Sequence, residues 1–590
     1  MEPSRFYSHT KGGRSVIAQE LPYESVDEDS SDGEVLYQPN EESDTSDDSE
    51  SENDATSANR DDPQPSKRGR KERHIIWKSV EVGQKSTEVP EWKGKLPDAT
   101  TIKTPLEYFK HFFDDDLLQM IVDESNLYAT QERGSSLNLT VEELEQFIGT
   151  VLYSTIFHLP RTRMYWKKSS WVQQIAEVFS RNRWEEIKKY IHFNDNSNMP
   201  APTDETRDKL FKIRPIVDKL LHKFQAIPQQ QMLCIDEQIV PFKGRSGLKQ
   251  YNPKKPNKWG YKIFVLCDTN GLVHNFEIYT GKIEPAPNEP DLGASSNIVL
   301  RLTSIVQVNM SHLLFFDNWF SSLDLVIELH KKGIYTLGTV RQNRLKGCRL
   351  IDDKRMKKLG RGTYDEKSAT VEGIQVDVLK WCDTKCVTFI STYAAGDPPG
   401  VAERWSKKEK QLIDVACPNV VLEYNKFMGG VDLLDGLVSY YRTKLKSKKY
   451  YMRFFFHFLD MVTVNCWLLY RRDGRSLEIP PKKQMDLLDF RAEVAEGLLK
   501  CKKDTTRTKS RRSSSDVEKK LLTKKKKGRV APTPAKDIRM DSVGHWPIPS
   551  ERQRCKHPGC KNKATIKCSK CQVHLCLNKK SNCYLLFHTQ

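Results

Sequence analysis

QQQMLCIDEQIVPFKGR, residues 229 to 245, holds the features on which the fold and the chemistry of this chain turn. Its apolar run MLCI ends in two adjacent carboxylates, Asp236 and Glu237, and Lys243 and Arg245 follow within a few residues. A carboxylate at the mouth of a buried strand is costly unless it is paired, protonated or bound to a metal. Side chains alternate along a strand, so Asp236 and Glu237 face opposite sides, and Glu237 is expected as a structural partner rather than a site residue. A strand that merely ends in solvated charges would look the same, so the decision rests on what surrounds it.

Outward from this stretch the texture is that of a mixed sheet. MLCIDEQIV, WGYKIFVLCD and LVHNFEIYT are rich in Val, Ile, Phe and Tyr, are separated by turn signals such as Thr269-Asn270-Gly271, and predict three consecutive antiparallel strands. A helical stretch at 294 to 308 follows, then SHLLFFDNWF as a fourth strand, a helix at 321 to 332, and GIYTLGTVR as a fifth strand. Three strands, helix, strand, helix, strand is the order of an α/β, ribonuclease-H-like core. Residues 229–341 are its first part, 342–420 read as a β-rich insertion, and 421–440 supply the core's final helix. In that order Asp236 ends the first strand and Asp317 the fourth, neighbours in such a sheet. Asp432 and Asp435 lie three apart on the late helix, behind Gly429-Gly430, and share one face. Three converging carboxylates repel one another unless cations neutralise them, and two Mg²⁺ ions are the usual solution for in-line attack at a phosphodiester.

Upstream, residues 77–228 change to helical spacing. Leu106, Phe109, Phe112, Phe113, Leu117 and Ile121 recur every three or four residues, and Thr140 with Glu143 predicts a capping box at the next helix. Further helices are expected over 170 to 195 and 207 to 225. Downstream, residues 441–500 open with a basic and aromatic cluster of Arg442, Lys444, Lys446, Lys448, Lys449 and Arg453, suited to a phosphate backbone. Lys243, Arg245, Lys254, Lys255, Lys258 and Arg341 are further candidates for such contacts.

The ends of the chain differ from its middle. Residues 1–76 hold an acidic, Ser-rich head expected to be disordered, followed by the basic cluster Lys67-Arg68-Gly69-Arg70-Lys71. Residues 501–550 form a basic linker with Arg511-Arg512 and Lys524 to Lys527, spaced like a bipartite nuclear-import signal. The formal net charge of +17 favours polyanionic partners, and neither a membrane span nor a secretory leader is expected from the apolar pattern. Of fourteen cysteines, six fall between 555 and 583, a pattern that in a reducing compartment signals metal binding. Residues 551–590 offer Cys555, Cys560, Cys568, Cys571, His574, Cys576, Cys583 and His588, with His557 as an alternative donor. Eight donors in four consecutive pairs would hold two Zn²⁺, the first pair sharing a metal with the third and the second with the fourth.

PFKGR (241 to 245), KQYNPKKPNKWGYK (249 to 262), FFDNWFSS (315 to 322), LGTVR (337 to 341) and NKFMGGVDLLD (425 to 435) resemble the signature blocks of piggyBac-type transposases. LPRTRMYW (159 to 166) and EVFSRNRWEEIKKYIHFNDN (177 to 196) do so too, and the resemblance runs from about residue 77 to the C-terminus. Where related sequences show paired Trp, this one has Tyr450-Tyr451. The resemblance implies that Asp236, Asp317 and Asp432 are catalytic aspartates holding two metal ions, with Asp435 a fourth acidic position. It further implies a nuclear, homodimeric enzyme that binds terminal inverted repeats in double-stranded DNA through its helical domains and excises and integrates an element at TTAA. The cysteine-rich tail would help recognise the element's end. A domesticated descendant that binds DNA or chromatin without cutting carries the same blocks, and a nuclease on the same fold is a third reading.

Overall fold

A computed structural model describes residues 75–500 and 534–589, apart from 82, 202, 205, 206, 254, 256, 407, 408 and 535. The acidic head, the Lys67 to Lys71 cluster, Lys254 and the basic clusters at Arg511-Arg512 and Lys524 to Lys527 lie outside the described residues.

The β-branched and aromatic runs form one ten-stranded sheet from β1 (Lys78–Ser79), β2 (Met232–Pro241), β3 (Gln250–Tyr251), β4 (Trp259–Asp268), β5 (Val273–Ile278), β6 (His312–Phe316), β7 (Ile334–Thr339), β8 (Tyr364–Val371), β9 (Ile374–Cys382) and β10 (Cys386–Ser391). At its centre the order is β5-β4-β2-β6-β7. β4 is antiparallel to both β2 and β5, whereas β6 is parallel to β2 and β7 to β6, which is the ribonuclease-H-like arrangement. The β4 to β5 turn closes through Asp268, whose Oδ1 accepts from the backbone N–H of Asn270 (2.8 Å) and Leu272 (3.0 Å), with Gly271 at φ +87°.

The expected insertion does not stand apart. β10 pairs antiparallel with β7, Phe389 opposite Thr339, so β8 to β10 extend the core sheet. Without them β7 would present an unpaired edge, and hydrogen-bonding groups on an open edge invite misassembly. Of the strands described within 342–420, β11 (Gly400–Ser406) and β12 (Gln411–Cys417), an antiparallel pair, leave the sheet.

Alternation gives the sheet two different faces. Leu233, Ile235, Leu314 and Phe316 pack with Ile298, Val299, Leu325 and Val326 of α7 (Ala294–Leu302) and α8 (Leu323–Lys331), numbered after the six helices that precede them. Cys234, Val240 and Phe315 face the helical part of the molecule. That part comprises α1 (Pro105–Phe112), α2 (Asp115–Arg133), α3 (Val141–Ile156), α4 (Gln173–Ala176), α5 (Arg181–Tyr190) and α6 (Arg214–Gln225). It is completed from far along the chain. After α9 (Asp353–Leu359), α10 (Asn419–Phe427) and α11 (Gly430–Tyr440) come α12 (Tyr450–Ser476) and α13 (Leu487–Lys500), and both pack back against it. A Cβ on Gly149 of α3 would stand 3.0 Å from the Ala495 carbonyl oxygen of α13, a measure of how closely those helices touch.

The expected capping box at Thr140 is half formed. Thr140 accepts from Glu143 N–H, but the Glu143 carboxylate pairs with Arg183 instead (2.6 Å). The complete box stands at Thr104 and Glu107, opening α1.

Glu124 of α2 has one carboxylate oxygen buried with no hydrogen-bond partner, and burial, reinforced by Asp195 and Asp123, pushes its pKa up to about 7. A carboxyl raised in the fold favours the protonated form, so its contribution is complete below the ordinary value and is lost as pH rises through about 7. Glu124→Gln should therefore stabilise the chain at pH 8 by about 1 kcal/mol, after discounting for solvent screening, and change little at pH 4. Urea denaturation at the two pH values measures it.

Candidate active site and metal centres

The parallel β2–β6 ladder pairs Met232 with Leu313 and runs to Ile235 opposite Phe316. Continued by one residue, the register sets Asp236 beside Asp317. Both follow the alternation onto the face of Cys234 and Phe315, where the late helix lies. The notional final helix divides in two: α10 ends at Phe427 and α11 starts at Gly430. α11 rests directly on the sheet, because a Cβ on Gly430 would fall 2.3 Å from the Asp268 carbonyl oxygen and 2.5 Å from Cys234 Sγ. Glycine is thereby required at the contact, and Asp432 and Asp435 are carried to the rim above Asp236.

The carboxylates act on one another. Burial pushes Asp236 up to about 7, with Lys255 opposing the rise and Asp317 and Asp432 adding to it. Burial likewise raises Asp317, whose Oδ1 accepts from Trp319 N–H (2.8 Å). Asp432 is exposed and forms the open side of the cluster. Asp435 is pushed up to about 6 by burial, while Gln238 Nε2 donates to its Oδ1 at 2.7 Å. Gln238 is itself buried, and its Oε1 meets His457 Nε2 of α12 at 2.7 Å, so Asp435 belongs to a hydrogen-bonded column that starts two residues beyond Asp236. Glu237 turns to the other face, where Lys262 (2.5 Å) and Asn252 (2.8 Å) hold it.

Lys255 is half-buried and its pKa is raised, despite burial, by Asp236, Asp432, Glu237 and Asp435. Lys262 acts on Asp317 and Arg442 on Asp435, yet among the described residues the carboxylates outnumber these cations and leave excess negative charge in a partly desolvated pocket. Such a donor set, hard and oxygen-only, fits Mg²⁺, with Asp236, Asp317 and Asp432 the residues that would hold it.

The basic residues separate into two groups. Lys243, Arg245, Lys258, Arg341, Lys444, Lys446 and Lys448 are exposed. Lys449 instead donates to the Lys189 carbonyl (2.8 Å), and Arg453 to those of Pro241 (2.9 Å) and Thr443 (2.8 Å). These two tie elements together, which the sequence did not reveal because a carbonyl partner has no residue signature. Arg442 is half-buried, with one guanidinium nitrogen lacking a partner, and acts on Asp435.

The cysteine module is organised differently from the expected four consecutive pairs. Cys555, Cys560, Cys576 and Cys583 present donor atoms within 4.8 Å of one another, as do His545, Cys568, Cys571 and His588. His574 belongs to neither group: it meets Ser550 Oγ at 2.5 Å, and His557 is also outside. Cys583 takes the place expected of His574, and His545, ten residues before the first of these cysteines and beyond the reach of spacing arguments, takes the place expected of Cys583 beside Cys568, Cys571 and His588. Its Nδ1 faces Cys568 and Cys571 (3.3 and 3.4 Å) while Nε2 meets buried Asp541 (2.8 Å), as metal-binding imidazoles are oriented. His588 Nδ1 meets the Tyr584 carbonyl oxygen, and its Nε2 is buried with no protein partner. Soft sulfur donors with an orphaned imidazole nitrogen fit Zn²⁺.

Fold and carboxylate cluster suit a phosphodiester-cutting class of protein, and comparison with known proteins narrows it to transposases. The family described as Transposase IS4 matches residues 104–467, which contain all four aspartates. PiggyBac transposable element-derived protein 3 of Homo sapiens is 30% identical over 499 residues, covering 83% of this chain and 77% of the relative. PiggyBac transposable element-derived protein 2 of Homo sapiens is 31% identical over 475 residues, covering 79% and 74%. A cryo-EM structure of the piggyBac transposase synaptic complex with hairpin DNA shares the fold, with a TM-score of 0.56 and 22% identity over 81% of this chain and 95% of that one. The chain belongs to the piggyBac-type transposase family.

Two outcomes check these sites. Gly430→Ala should cost about 1–3 kcal/mol by overpacking. Gly436→Ala, on the same helix with nothing within 4 Å of its Cβ, should instead stabilise by about 0.5–1 kcal/mol in urea titrations. Metal analysis of the purified chain should find two zinc ions, one fewer in His545→Ala, and two still in His574→Ala.

Proposed function

We propose that this chain is a DNA transposase in which Asp236, Asp317 and Asp432 bind two Mg²⁺ ions and direct phosphodiester cutting and strand transfer. The observation that carries the reading is the parallel register that sets Asp236 beside Asp317, with Asp432 close enough to raise the Asp236 pKa. When bound, the ions supply activation of the attacking hydroxyl and stabilisation of the leaving oxygen. The chain's own residues do the rest. Asp236 and Asp317 present carboxylates from adjacent strands, and Asp432 closes the exposed side from α11. Gln238 and His457 fix Asp435, whose charge and that of Asp432 are partly offset by Lys255. Exposed Lys243, Arg245, Lys444, Lys446 and Lys448, on the segments leaving β2 and α11, offer cations to the DNA backbone.

The finer reading follows the family resemblance: terminal inverted repeats as the bound DNA, TTAA as the joining site, a homodimer as the working unit and the nucleus as the compartment. The two cysteine and histidine groups are proposed as Zn²⁺ sites that rigidify a basic tail for contact with the element's end. A second reading, DNA binding without cutting, stands beside it because the relatives are named as transposable element-derived proteins. It gives the three aspartates no role.

An excision assay on a plasmid carrying the element's flanking ends separates the two. Wild type should cut in Mg²⁺, Asp236→Ala and Asp317→Asn should fall to background while still binding those ends, and Glu237→Gln should lose about tenfold. Absence of Mg²⁺-dependent cutting by wild type on authentic ends would establish the non-cutting reading.

A further inference from the structure

The block LPRTRMYWKKSSW and the start of α5 build a surface that the carboxylate cluster does not use. Trp166, Trp171, Ser180, Arg181 and Asn182 line an open cavity of about 390 Å³. One of its indoles is fixed: Trp166 Nε1 donates to the Phe179 carbonyl (2.7 Å), and its ring packs against Trp184 at 5.8 Å between centroids. The other is not covered, since Trp171 is 50% exposed. A large aromatic surface left in water marks a contact site when charged groups rim it.

The rim here is basic. Residues 161 to 189 carry eight Lys or Arg and three Glu, and two of those glutamates are already engaged: Glu185 with Arg163, and Glu186 with Arg133 and Arg183. Lys167, Lys168 and Arg181 are exposed beside the indoles. An aromatic platform flanked by excess cations complements a nucleotide, with a phosphate for the cations and a flat or apolar sugar-base unit for the ring. The cavity admits one such unit.

The surface is also continuous with the catalytic half. α5 spans ten residues, about 15 Å, and at its far end the Lys189 carbonyl accepts from Lys449. Lys448, Lys446 and Lys444 follow back toward Thr443, where Arg453 bridges to Pro241 at the end of β2. Hydrogen bonds therefore link α5 to the strand that bears Asp236, with exposed Arg181 at one end of the link and exposed Lys444, Lys446 and Lys448 at the other.

We propose that the Trp166–Trp171 cavity is a DNA-strand anchor: one nucleotide of the bound DNA lodges against the Trp171 indole, with its phosphate between Arg181 and the Lys167–Lys168 pair. The anchor rests on the DNA-transposase reading and adds a contact distant from the chemistry that holds the DNA along the basic track.

The test uses the full-length chain without Mg²⁺ and a fluorescein-labelled random-sequence duplex with a short single-stranded overhang, followed by anisotropy over a salt series. Trp171→Ala should weaken binding about tenfold and Trp171→Phe should recover most of the loss. The double variant Lys167→Ala, Lys168→Ala should make the slope of log K against log salt shallower by about 2. Each variant is accepted once its thermal transition matches wild type. Wild-type affinity and slope in all variants would overturn the anchor, and so would a Trp171→Phe defect equal to that of Trp171→Ala. Cutting of authentic ends by wild type is scored separately. If it occurs while the variants bind normally, the anchor alone fails; if it is absent while the variants bind weakly, the cutting reading alone fails.

Discussion

The distance between one helix and the sheet sets everything at the site. α11 begins on Gly430 with no room for a side chain, above a floor made by the Asp268 carbonyl and the sulfurs of Cys234 and Cys267, which are 3.4 Å apart. Small, polarizable groups in the floor and no Cβ in the helix bring the backbones as near as van der Waals contact allows. Withdrawn by the length of a side chain, α11 would carry Asp432 away from Asp236, and the carboxylates would be separate, solvated and without common chemistry.

That approach is held from behind by a buried ion pair. Asp460 of α12 and Arg491 of α13 are each 1% exposed and 2.6 Å apart. Asp460 also accepts from the N–H and hydroxyl of Thr443, which follows α11, and Arg491 donates to Thr155 of α3. One pair thus joins the segment leaving the site to three helices from opposite ends of the chain. Such a pair contributes little net stability compared with apolar packing, yet removing either partner alone strands a charge at a cost of about 3–5 kcal/mol. Its consequence here is geometric: α11 has one seat. The Gln238 to His457 contact repeats the device beside Asp435, with a neutral buried imidazole whose pKa is held well below its ordinary value by burial.

The core was legible because it is local. Alternation along 232 to 241 and 259 to 268, the turn at Thr269-Asn270-Gly271 and the helical spacing after residue 105 are each properties of a dozen neighbouring residues, and strand order followed from them. What could not be read is set by distant partners. Nothing within 385 to 394 says that β10 will pair with β7 rather than close a subdomain of its own. Glu143 has the spacing of a capping residue, but Arg183 is a stronger partner than a backbone N–H. His545 was missed because donors were sought among the cysteines, whereas the second histidine lies upstream and is identified by Asp541 at its other nitrogen. Lys255 was expected to contact DNA, and only the fold shows that carboxylates surround it.

The distribution of charge sets the exposed cations apart from the carboxylate cluster. A chain of net charge +17 draws a polyanion from a distance, and its exposed cations lie on segments around the site rather than in it. Within the site the sign reverses among the described residues, because Asp236, Glu237, Asp317, Asp432 and Asp435 outnumber Lys255, Lys262 and Arg442. A phosphate approaching that pocket gains from the track and loses at the last few ångströms, where partial burial weakens screening by water and salt. On the proposed reading, the track holds DNA without divalent ions, and a phosphodiester reaches the aspartates only when cations offset them. On that reading, binding falls to lysines and arginines that tolerate exposure, and the carboxylate cluster is where charge is supplied from outside.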